Sequence, residues 1–435
     1  MTQDPQPNVT RRRVFYIPGY DPFHARRYRE LYRTEAAAQA RISGYQIGIK
    51  PKSGGENYGW QVAANIDAAH VQADVDVLVW SDIVRDSMSS TILATYQQLF
   101  KTAWTYIASG ALRRLMWLRK GPVIAALYPV GMLLLQLLIA VLIGWIVSAA
   151  VSWTFVLVGV LLYAITGLET GSAGAASDAS FVFMIIGNIL IYAIWALTTA
   201  IVLRWFKGKD GKFFAYYLMH DYAYSARWKG ANPPALEKRM SAFGDTIAQA
   251  LGEDWDEVLV VGHSSGAHLA VSILADLIRA GRVPKNGPAL GFLSLGQVVP
   301  MVSFLPKAKR LRADLQFLCQ QENVTWIDVT APGDGCSFAL CDPVAVSGVA
   351  PQTGQKWPVI ISAAFTQSLS GERWKELRWK FFRLHFQYLC AFDRPKDYDY
   401  FQITCGPLTL QDRYRNRSSS KSRIDVAASP YTTVQ

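Results

Sequence analysis

The feature that most constrains this chain is a run of 48 residues, 121–168, that contains no charged side chain. About 20 apolar residues are enough to cross a bilayer, and one helix over the whole run would be about 70 Å long. A second uncharged run of 23 residues covers 181–203. Buried helices of globular domains are seldom this long. We therefore predict that both runs insert into a membrane.

Basic residues flank the two apolar runs, whereas the segment between them, 169–180, has no lysine or arginine. The flanking cations are Arg113, Arg114, Arg119 and Lys120 on one side and Arg204, Lys207, Lys209 and Lys212 on the other. The positive-inside rule then places both flanks in the cytoplasm. We predict a multi-pass protein of the inner, cytoplasmic membrane with two crossings, within 121–168 and 181–203, or four as the alternative.

A short apolar run, 258–261, has the pattern of a buried parallel strand. It leads through Gly262-His263-Ser264-Ser265-Gly266 into an apolar helical pattern at 269–278. A strand, a Gly-x-Ser-x-Gly turn and a helix are the context of a nucleophile elbow. Side chains at the two glycine positions would collide with the strand or the helix. The turn would hold the Ser264 hydroxyl clear of the sheet, with the Ser265 N–H ready to stabilise an oxyanion.

These residues resemble the α/β-hydrolase superfamily, in the Gly-His-Ser-x-Gly form found in many lipases, esterases and thioesterases. The resemblance implies an α/β fold with a mostly parallel sheet flanked by helices, here interrupted by a transmembrane helical hairpin. It also implies a second oxyanion donor in the loop after an early strand. That strand, 14–17, ends in Pro-Gly-Tyr-Asp, where the family often has His-Gly. We expect Tyr20 as the donor, with Asp21 as the alternative.

The superfamily has its catalytic residues in the order serine, acid, histidine. His385 is the one histidine of six that follows the acid region, and the resemblance implies that it is the general base. We expect the acid to be Asp334, in a Pro-Gly-Asp-Gly loop after the strand 324–329. Asp342 and then Asp328 are the alternatives. His263 and His268 lie on the elbow, and we expect both to serve local packing.

The resemblance and the hydropathy pattern together divide the chain into five parts. Residues 1–12 form a disordered N-terminus, 13–118 and 207–410 form the two parts of one hydrolase domain, 119–206 form the membrane insertion, and 411–435 form a basic disordered tail. Strands before and after the insertion share one sheet in this arrangement, so both flanks lie on the same side of the membrane. This agrees with the orientation that the basic residues predict.

The composition of the chain limits the classes of partner and cofactor that we expect. The formal net charge is +11, but no nucleic-acid-binding motif accompanies it, so an anionic membrane surface is the expected partner. The five cysteines include no Cys-x-x-Cys pair, and we interpret them as reduced thiols. No metal-ligand cluster, dinucleotide fingerprint or phosphate-binding loop is present in the sequence, so we expect no cofactor and no metal.

Taken together, the sequence predicts a membrane-embedded serine hydrolase that cleaves a carboxylic ester or thioester through an acyl-enzyme on Ser264. A lipid ester is the expected substrate, because the site would lie beside a bilayer. Two alternatives remain open. One is a membrane acyltransferase that uses the same three residues, and the other is a non-catalytic membrane scaffold built on a hydrolase fold. The sequence does not predict an oligomeric state.

Overall fold

A computed structural model of the protein describes residues 8–52, 54, 57–88, 91–166 and 173–435. The chain divides into two compact units. The first unit comprises Met1–Met88, Phe100–Ala126 and Asp221–Gln435, and the second comprises Ser89–Leu99 and Leu127–His220. The first unit contains the sheet, and the second contains the two longest helices.

Eight strands form one sheet in the first unit. They are β1 Arg11–Ile17, β2 Gln46–Pro51, β3 Gly59–Ile66, β4 Ala69–Val77, β5 Glu257–His263, β6 Ala289–Leu295, β7 Thr325–Thr330 and β8 Val359–Ser362. The order across the sheet is β2-β3-β4-β1-β5-β6-β7-β8. The β2–β3 and β3–β4 pairs are antiparallel and the other five pairs are parallel. The prediction of an α/β fold with a mostly parallel sheet is therefore confirmed.

The helices fill the segments before, between and after the strands. They are α1 Arg26–Ser43, α2 Ser81–Ser87, α3 Ile92–Ala108, α4 Ala111–Leu118, α5 Lys120–Thr166, α6 Ala173–Gly208, α7 Asp210–Phe213, α8 Ala215–Arg227, α9 Pro234–Leu251, α10 Ser265–Arg279, α11 Val299–Ser303, α12 Lys309–Leu318, α13 Pro343–Val346, α14 Phe365–Ser368, α15 Gly371–Leu377, α16 Phe381–His385, α17 Tyr400–Cys405 and α18 Leu410–Tyr414, with a short 3₁₀ helix at Gln387–Leu389.

The sheet is covered on both faces, as its continuous apolar strands require. Successive side chains of a strand point to opposite faces. Val14 and Leu259 accordingly join one apolar cluster, with residues of α1 and α17. Phe15 and Val260 join the other, with residues of α9, α10 and α12. Both clusters are buried, and they fix the register of β1 and β5 at the centre of the sheet.

The strand β4, which pairs with β1, differs from its prediction. The mostly apolar segment 76–80 by itself predicts a strand over those residues. In the structure β4 instead covers Ala69–Val77 and forms a hairpin with β3. The hairpin turn consists of Asp67 and Ala68, which both have positive φ angles, 52° and 59°. The usual hairpin signal is Asn-Gly or Asp-Gly. Asp-Ala adopts the same backbone conformation without a glycine, so this hairpin has no signal in the sequence.

In the described part of the chain, two helices are long and apolar enough to cross a membrane, Lys120–Leu161 within α5 and Met184–Gly208 within α6. In the most apolar window of each, 22% and 0% of the residues are buried. A core helix of a soluble protein would be mostly buried, so this exposure favours the membrane interpretation. The two helices meet at Gly144, where an added Cβ would lie 2.5 Å from Thr199 Oγ1 and 2.8 Å from the carbonyl oxygen of Trp195.

The chain ends are more ordered than the composition predicted. Residues 1–7 lie outside the described residues, but Arg12 is already in β1, where its Nε donates to Glu257 over 2.6 Å. In the tail, the N–H of Ile424 donates to the carbonyl of Leu340 over 2.7 Å. Arg312 Nε donates to the carbonyl of Thr433 over 2.8 Å. The prediction of disorder over 411–435 is therefore wrong, because backbone hydrogen bonds to the domain stabilise a polar segment that lacks an apolar pattern.

Candidate active site

Ser264 lies on a strained turn between β5 and α10. Its φ and ψ are 57° and −121°, a combination that costs a non-glycine residue free energy and that is concentrated at functional sites. An added Cβ on Gly262 would lie 2.8 Å from Ala267 Cα, and one on Gly266 would lie 2.1 Å from the carbonyl oxygen of Ile17. Both distances are too short for any side chain. The glycines are thus required for the reason that the sequence predicted.

The loop after β1 reaches the same turn. β1 and β5 are parallel neighbours, so their carboxyl ends lie together at one edge of the sheet. An added Cβ on Gly19 would be 2.9 Å from Ser264 Cβ and 3.3 Å from its Oγ. Asp21 accepts hydrogen bonds from the N–H of Phe23 and the hydroxyl of Tyr28, over 2.9 and 2.6 Å. The loop that contains Tyr20 therefore lies against Ser264, and its role as an oxyanion donor, like that of Ser265, stays a prediction.

Asp334 and His385 form a buried hydrogen-bonded pair. Asp334, in the loop after β7, is 2% exposed, and His385, at the end of α16, is 7% exposed. The distance between Asp334 Oδ2 and His385 Nδ1 is 2.8 Å. Asp334 Oδ1 accepts from the N–H of Cys336 over 2.8 Å, and Oδ2 also accepts from the hydroxyl of Tyr388 over 3.0 Å. These bonds fix the carboxylate, and the carboxylate fixes the imidazole.

Electrostatics keep Asp334 ionised. Burial alone would raise the pKa of this carboxyl, but the nearby charge of His385 and the hydrogen bonds from His385 and Cys336 hold the pKa below its usual value. An ionised Asp334 requires a proton on His385 Nδ1, which leaves Nε2 as the nitrogen that can accept a proton.

His385 lies beside the turn that contains Ser264. His263, the residue before the serine, donates from Nε2 to the carbonyl of His385 over 3.0 Å, and the two ring centroids are 4.9 Å apart. The N–H of Ser264 donates to the carbonyl of Leu295 over 2.9 Å. An added Cβ on the next residue, Gly296, would lie 3.1 Å from His385 Cε1. His263 and the Gly296 turn thus hold the imidazole beside the turn that contains Ser264.

The two alternative acids have other partners. Asp342 caps α13 by accepting from the N–H groups of Val344 and Ala345, and it also accepts from Gln355 Nε2 over 2.8 Å. Asp328 accepts from the Ser294 hydroxyl over 2.5 Å inside the sheet, and burial raises its pKa to about 8. Of the three candidate acids, Asp334 is the one hydrogen-bonded to His385.

Three residues near the site were not predicted to act there. Tyr388 is a positioning residue, because its hydroxyl donates to Asp334 and accepts from the N–H of Ala331 over 3.0 Å. Asp221 and His268 line a cavity together with Ser265. Asp221 is the acidic residue of the aromatic-rich segment 213–228. That position in the sequence is the signal that could have identified it as a site residue. His268 had been assigned to packing, and its Nδ1 has no hydrogen-bond partner.

A metal ion is the other chemistry that these residues could support. In the described part of the chain, the group of possible metal ligands consists of Asp334, Cys336 and His385, whose ligand atoms all lie within 4.8 Å of one another. Burial raises the pKa of the Cys336 thiol well above its usual value, whereas a metal ligand is a thiolate. The Asp334–His385 bond also occupies Nδ1. The geometry fits an oriented base better than a metal centre.

No known family model, curated protein or solved structure matches this chain. The geometry combines a hydroxyl on a strained turn, an imidazole beside that turn and a carboxylate hydrogen-bonded to the imidazole. These are the components of nucleophilic catalysis by serine.

Proposed function

We propose that this protein is a membrane-embedded serine hydrolase that cleaves a carboxylic ester or thioester through an acyl-enzyme on Ser264. The observation that carries the proposal is the hydrogen bond between Asp334 and His385, formed next to the turn that holds Ser264. A serine hydroxyl becomes an effective nucleophile when an imidazole takes its proton, and the imidazole needs a carboxylate to fix its tautomer and stabilise its cation.

The fold supports the same proposal. The strained serine follows β5, a central strand of a mostly parallel sheet, and precedes a helix, which is the context of a nucleophile elbow. The acid follows β7 and the histidine follows β8, in the chain order typical of α/β-hydrolases. We therefore assign the first unit to that fold as part of the proposal.

In the proposed reaction, Ser264 Oγ attacks the carbonyl carbon while His385 Nε2 takes the hydroxyl proton. The N–H groups of Ser265 and Tyr20 stabilise the negative oxygen of the tetrahedral intermediate. The carbon–oxygen or carbon–sulfur bond then breaks, and His385 returns the proton to the leaving alcohol or thiol. Water attacks the acyl-enzyme by the same path, His385 takes its proton and returns it to Ser264, and the carboxylic acid leaves. Asp334 stays ionised throughout.

The membrane part of the proposal rests on α5 and α6. Both lie between β4 and β5, which belong to one sheet, so the number of crossings in this segment must be even. The basic flanks favour a cytoplasmic position for the sheet. Proximity to the bilayer would make lipid esters accessible substrates. Alkaline phosphatase inserted within 169–180 should be active, and a fluorescent protein fused to the C-terminus should fluoresce in the cytoplasm. The reverse pattern would contradict the orientation.

The catalytic part is tested with the full chain in detergent. A fluorophosphonate probe should label the wild type and the control Ser241→Ala, whose serine is exposed on α9. Ser264→Ala should not be labelled, and it should hydrolyse p-nitrophenyl butanoate no faster than buffer does. Labelling of Ser264→Ala at the wild-type level would refute the nucleophile. With a labelled acyl donor, free acid as the sole product excludes acyl transfer.

A further inference from the structure

A cavity next to the nucleophile has an unusual lining. It is bordered by Ser265, the residue after the nucleophile, and by Asp221 and His268. Aromatic rings of Tyr20, Trp80 and Tyr224 form much of its wall, and the described lining includes no lysine or arginine. The only formal charge on this lining is thus the negative charge of an ionised Asp221.

In the described part of the chain, Asp221 has no hydrogen-bonded counter-ion. Among the described residues it forms no hydrogen bond and no ion pair. Burial raises the pKa of Asp221 to about 7, and the charge of His385 opposes this increase. Asp221 is half-buried, and partial removal of a carboxylate from water without a partner is costly. Such groups are concentrated at functional sites.

The aromatic walls suit a positive charge. The ring centroids of Tyr20 and Trp80 are 6.1 Å apart, those of Tyr20 and Tyr224 are 5.6 Å apart, and those of Trp80 and Tyr224 are 6.1 Å apart. A cation within about 6 Å of an aromatic ring is attracted by the electron-rich ring face. A ring face turned toward this cavity adds attraction of the same sign as an ionised Asp221 does.

A hydrogen-bond acceptor completes the lining. His268 is 9% exposed, and its Nδ1 has no hydrogen-bond partner among the described residues. Burial lowers the pKa of His268 to about 4, so the ring is neutral near pH 7 and one of its nitrogens can accept an N–H. The hydroxyl of Tyr224 is also buried without a partner. Orphaned polar atoms of this kind need a ligand, an ion or a water.

We propose that this cavity binds a protonated primary amine of the substrate, with Asp221 as its counter-ion. The inference rests on the proposed hydrolase function and names its substrate class, which is an ester or thioester that has an ammonium group close to the scissile bond. The enclosed space has room for about one or two water-sized groups, so it suits an ammonium group better than a trimethylammonium group. Because Ser265 borders the cavity, an ammonium group bound there would belong to a part of the substrate near the reacting carbonyl.

Two isosteric substrate pairs test the proposal and locate the charge. The p-nitrophenyl esters of β-alanine and of butanoic acid differ by an ammonium in place of a methyl group on the acyl side. The esters 2-aminoethyl butanoate and propyl butanoate differ in the same way on the alcohol side. In one of the two pairs, the wild type should prefer the cationic ester in kcat/KM by at least about tenfold.

Variants at Asp221 separate charge from packing. Asp221→Asn should remove the preference for the cationic ester, and Asp221→Glu should restore part of it. Asp67→Asn, at an exposed hairpin turn, should keep the wild-type preference. A wild type that hydrolyses both members of each pair equally, or an Asp221→Asn variant with an unchanged preference, would overturn the proposal.

A binding measurement keeps this inference separate from the hydrolase assignment. Ligand-observed NMR should detect propylammonium bound to Ser264→Ala and should not detect it with Asp221→Asn. If no ester is cleaved but propylammonium binds in this pattern, the hydrolase is refuted and the amine site stands. If esters are cleaved without a preference for charge and propylammonium does not bind, the amine site is refuted and the hydrolase stands.

Discussion

Asp334 Oδ2 and His385 Nδ1 are 2.8 Å apart, although the two residues are separated by 51 positions in the chain. The pair joins the loop after β7 to the end of α16. Since the hydrogen bond fixes the protonated nitrogen of the imidazole, it decides which nitrogen faces a substrate.

The first prediction concerns the identity of the acid. Asp334→Asn should lower the rate of fluorophosphonate labelling by about 10³–10⁴-fold, because an amide at this position favours the wrong imidazole tautomer. Asp342→Asn should keep most of the labelling and change the stability little, because asparagine caps a helix about as well as aspartate does. The measurements are labelling kinetics and thermal unfolding. Greater loss of labelling in Asp342→Asn would reverse the assignment.

The second prediction concerns the turn at Ser264. Gly266→Ala should destabilise the first unit by more than about 3 kcal/mol, because its Cβ would overlap the backbone carbonyl of Ile17. Gly371→Ala is the matched control, since nothing lies within 4 Å of its added Cβ, and it should change stability by less than about 0.5 kcal/mol. Denaturant unfolding in detergent measures both. Equal stabilities of the two variants would contradict the close approach of α10 to β1.

The third prediction follows from the pKa of Asp221. The pKa of an aspartate is about 3.9 in an unfolded chain, and the pKa of Asp221 in the folded protein is about 7. Between pH 4 and pH 7, roughly, the folded state therefore binds more protons than the unfolded state does. Stability is therefore lost as the pH rises from about 4 to 7. Asp221→Asn removes this loss, and it should be more stable than the wild type by up to about 4 kcal/mol above pH 7.

Thermal unfolding at about pH 5 and pH 8 measures this difference. The advantage of Asp221→Asn should be small at the lower pH and large at the higher one, while Asp67→Asn should match the wild type at both. An advantage that is independent of pH, or a loss of stability at pH 8, would show that Asp221 is not held as an unfavourable charge.

The fourth prediction tests whether His385 acts as a general base or as a metal ligand. If Asp334, Cys336 and His385 hold a metal, EDTA should abolish fluorophosphonate labelling and Cys336→Ser should weaken it. We expect neither effect, because Asp334 already occupies His385 Nδ1. Cys390→Ser, a buried cysteine outside this group, is the control for general damage. Loss of labelling that zinc restores would favour the metal instead.

The sequence predicted the features that local chemistry controls. The turn at Ser264 was predicted because two glycines flank a serine between a strand pattern and a helix pattern, and steric exclusion at those glycines needs no distant partner. The apolar lengths of α5 and α6 were predicted for a similar reason, since the absence of charge is a property of each segment alone. The hairpin at Asp67 and the ordered tail were missed, because both depend on backbone pairing that leaves no apolar pattern.

What the sequence determined by itself was therefore the strained serine, the mostly parallel sheet around it and two uncharged segments of membrane-spanning length, since sterics, periodicity and hydropathy act along neighbouring residues. The tertiary structure decided which of three aspartates meets His385, and it brought Asp221 and His268 to the cavity beside Ser265. Those contacts join residues far apart in the chain, and only the packing of the whole domain determines which carboxylate reaches an imidazole and which remains without a counter-ion.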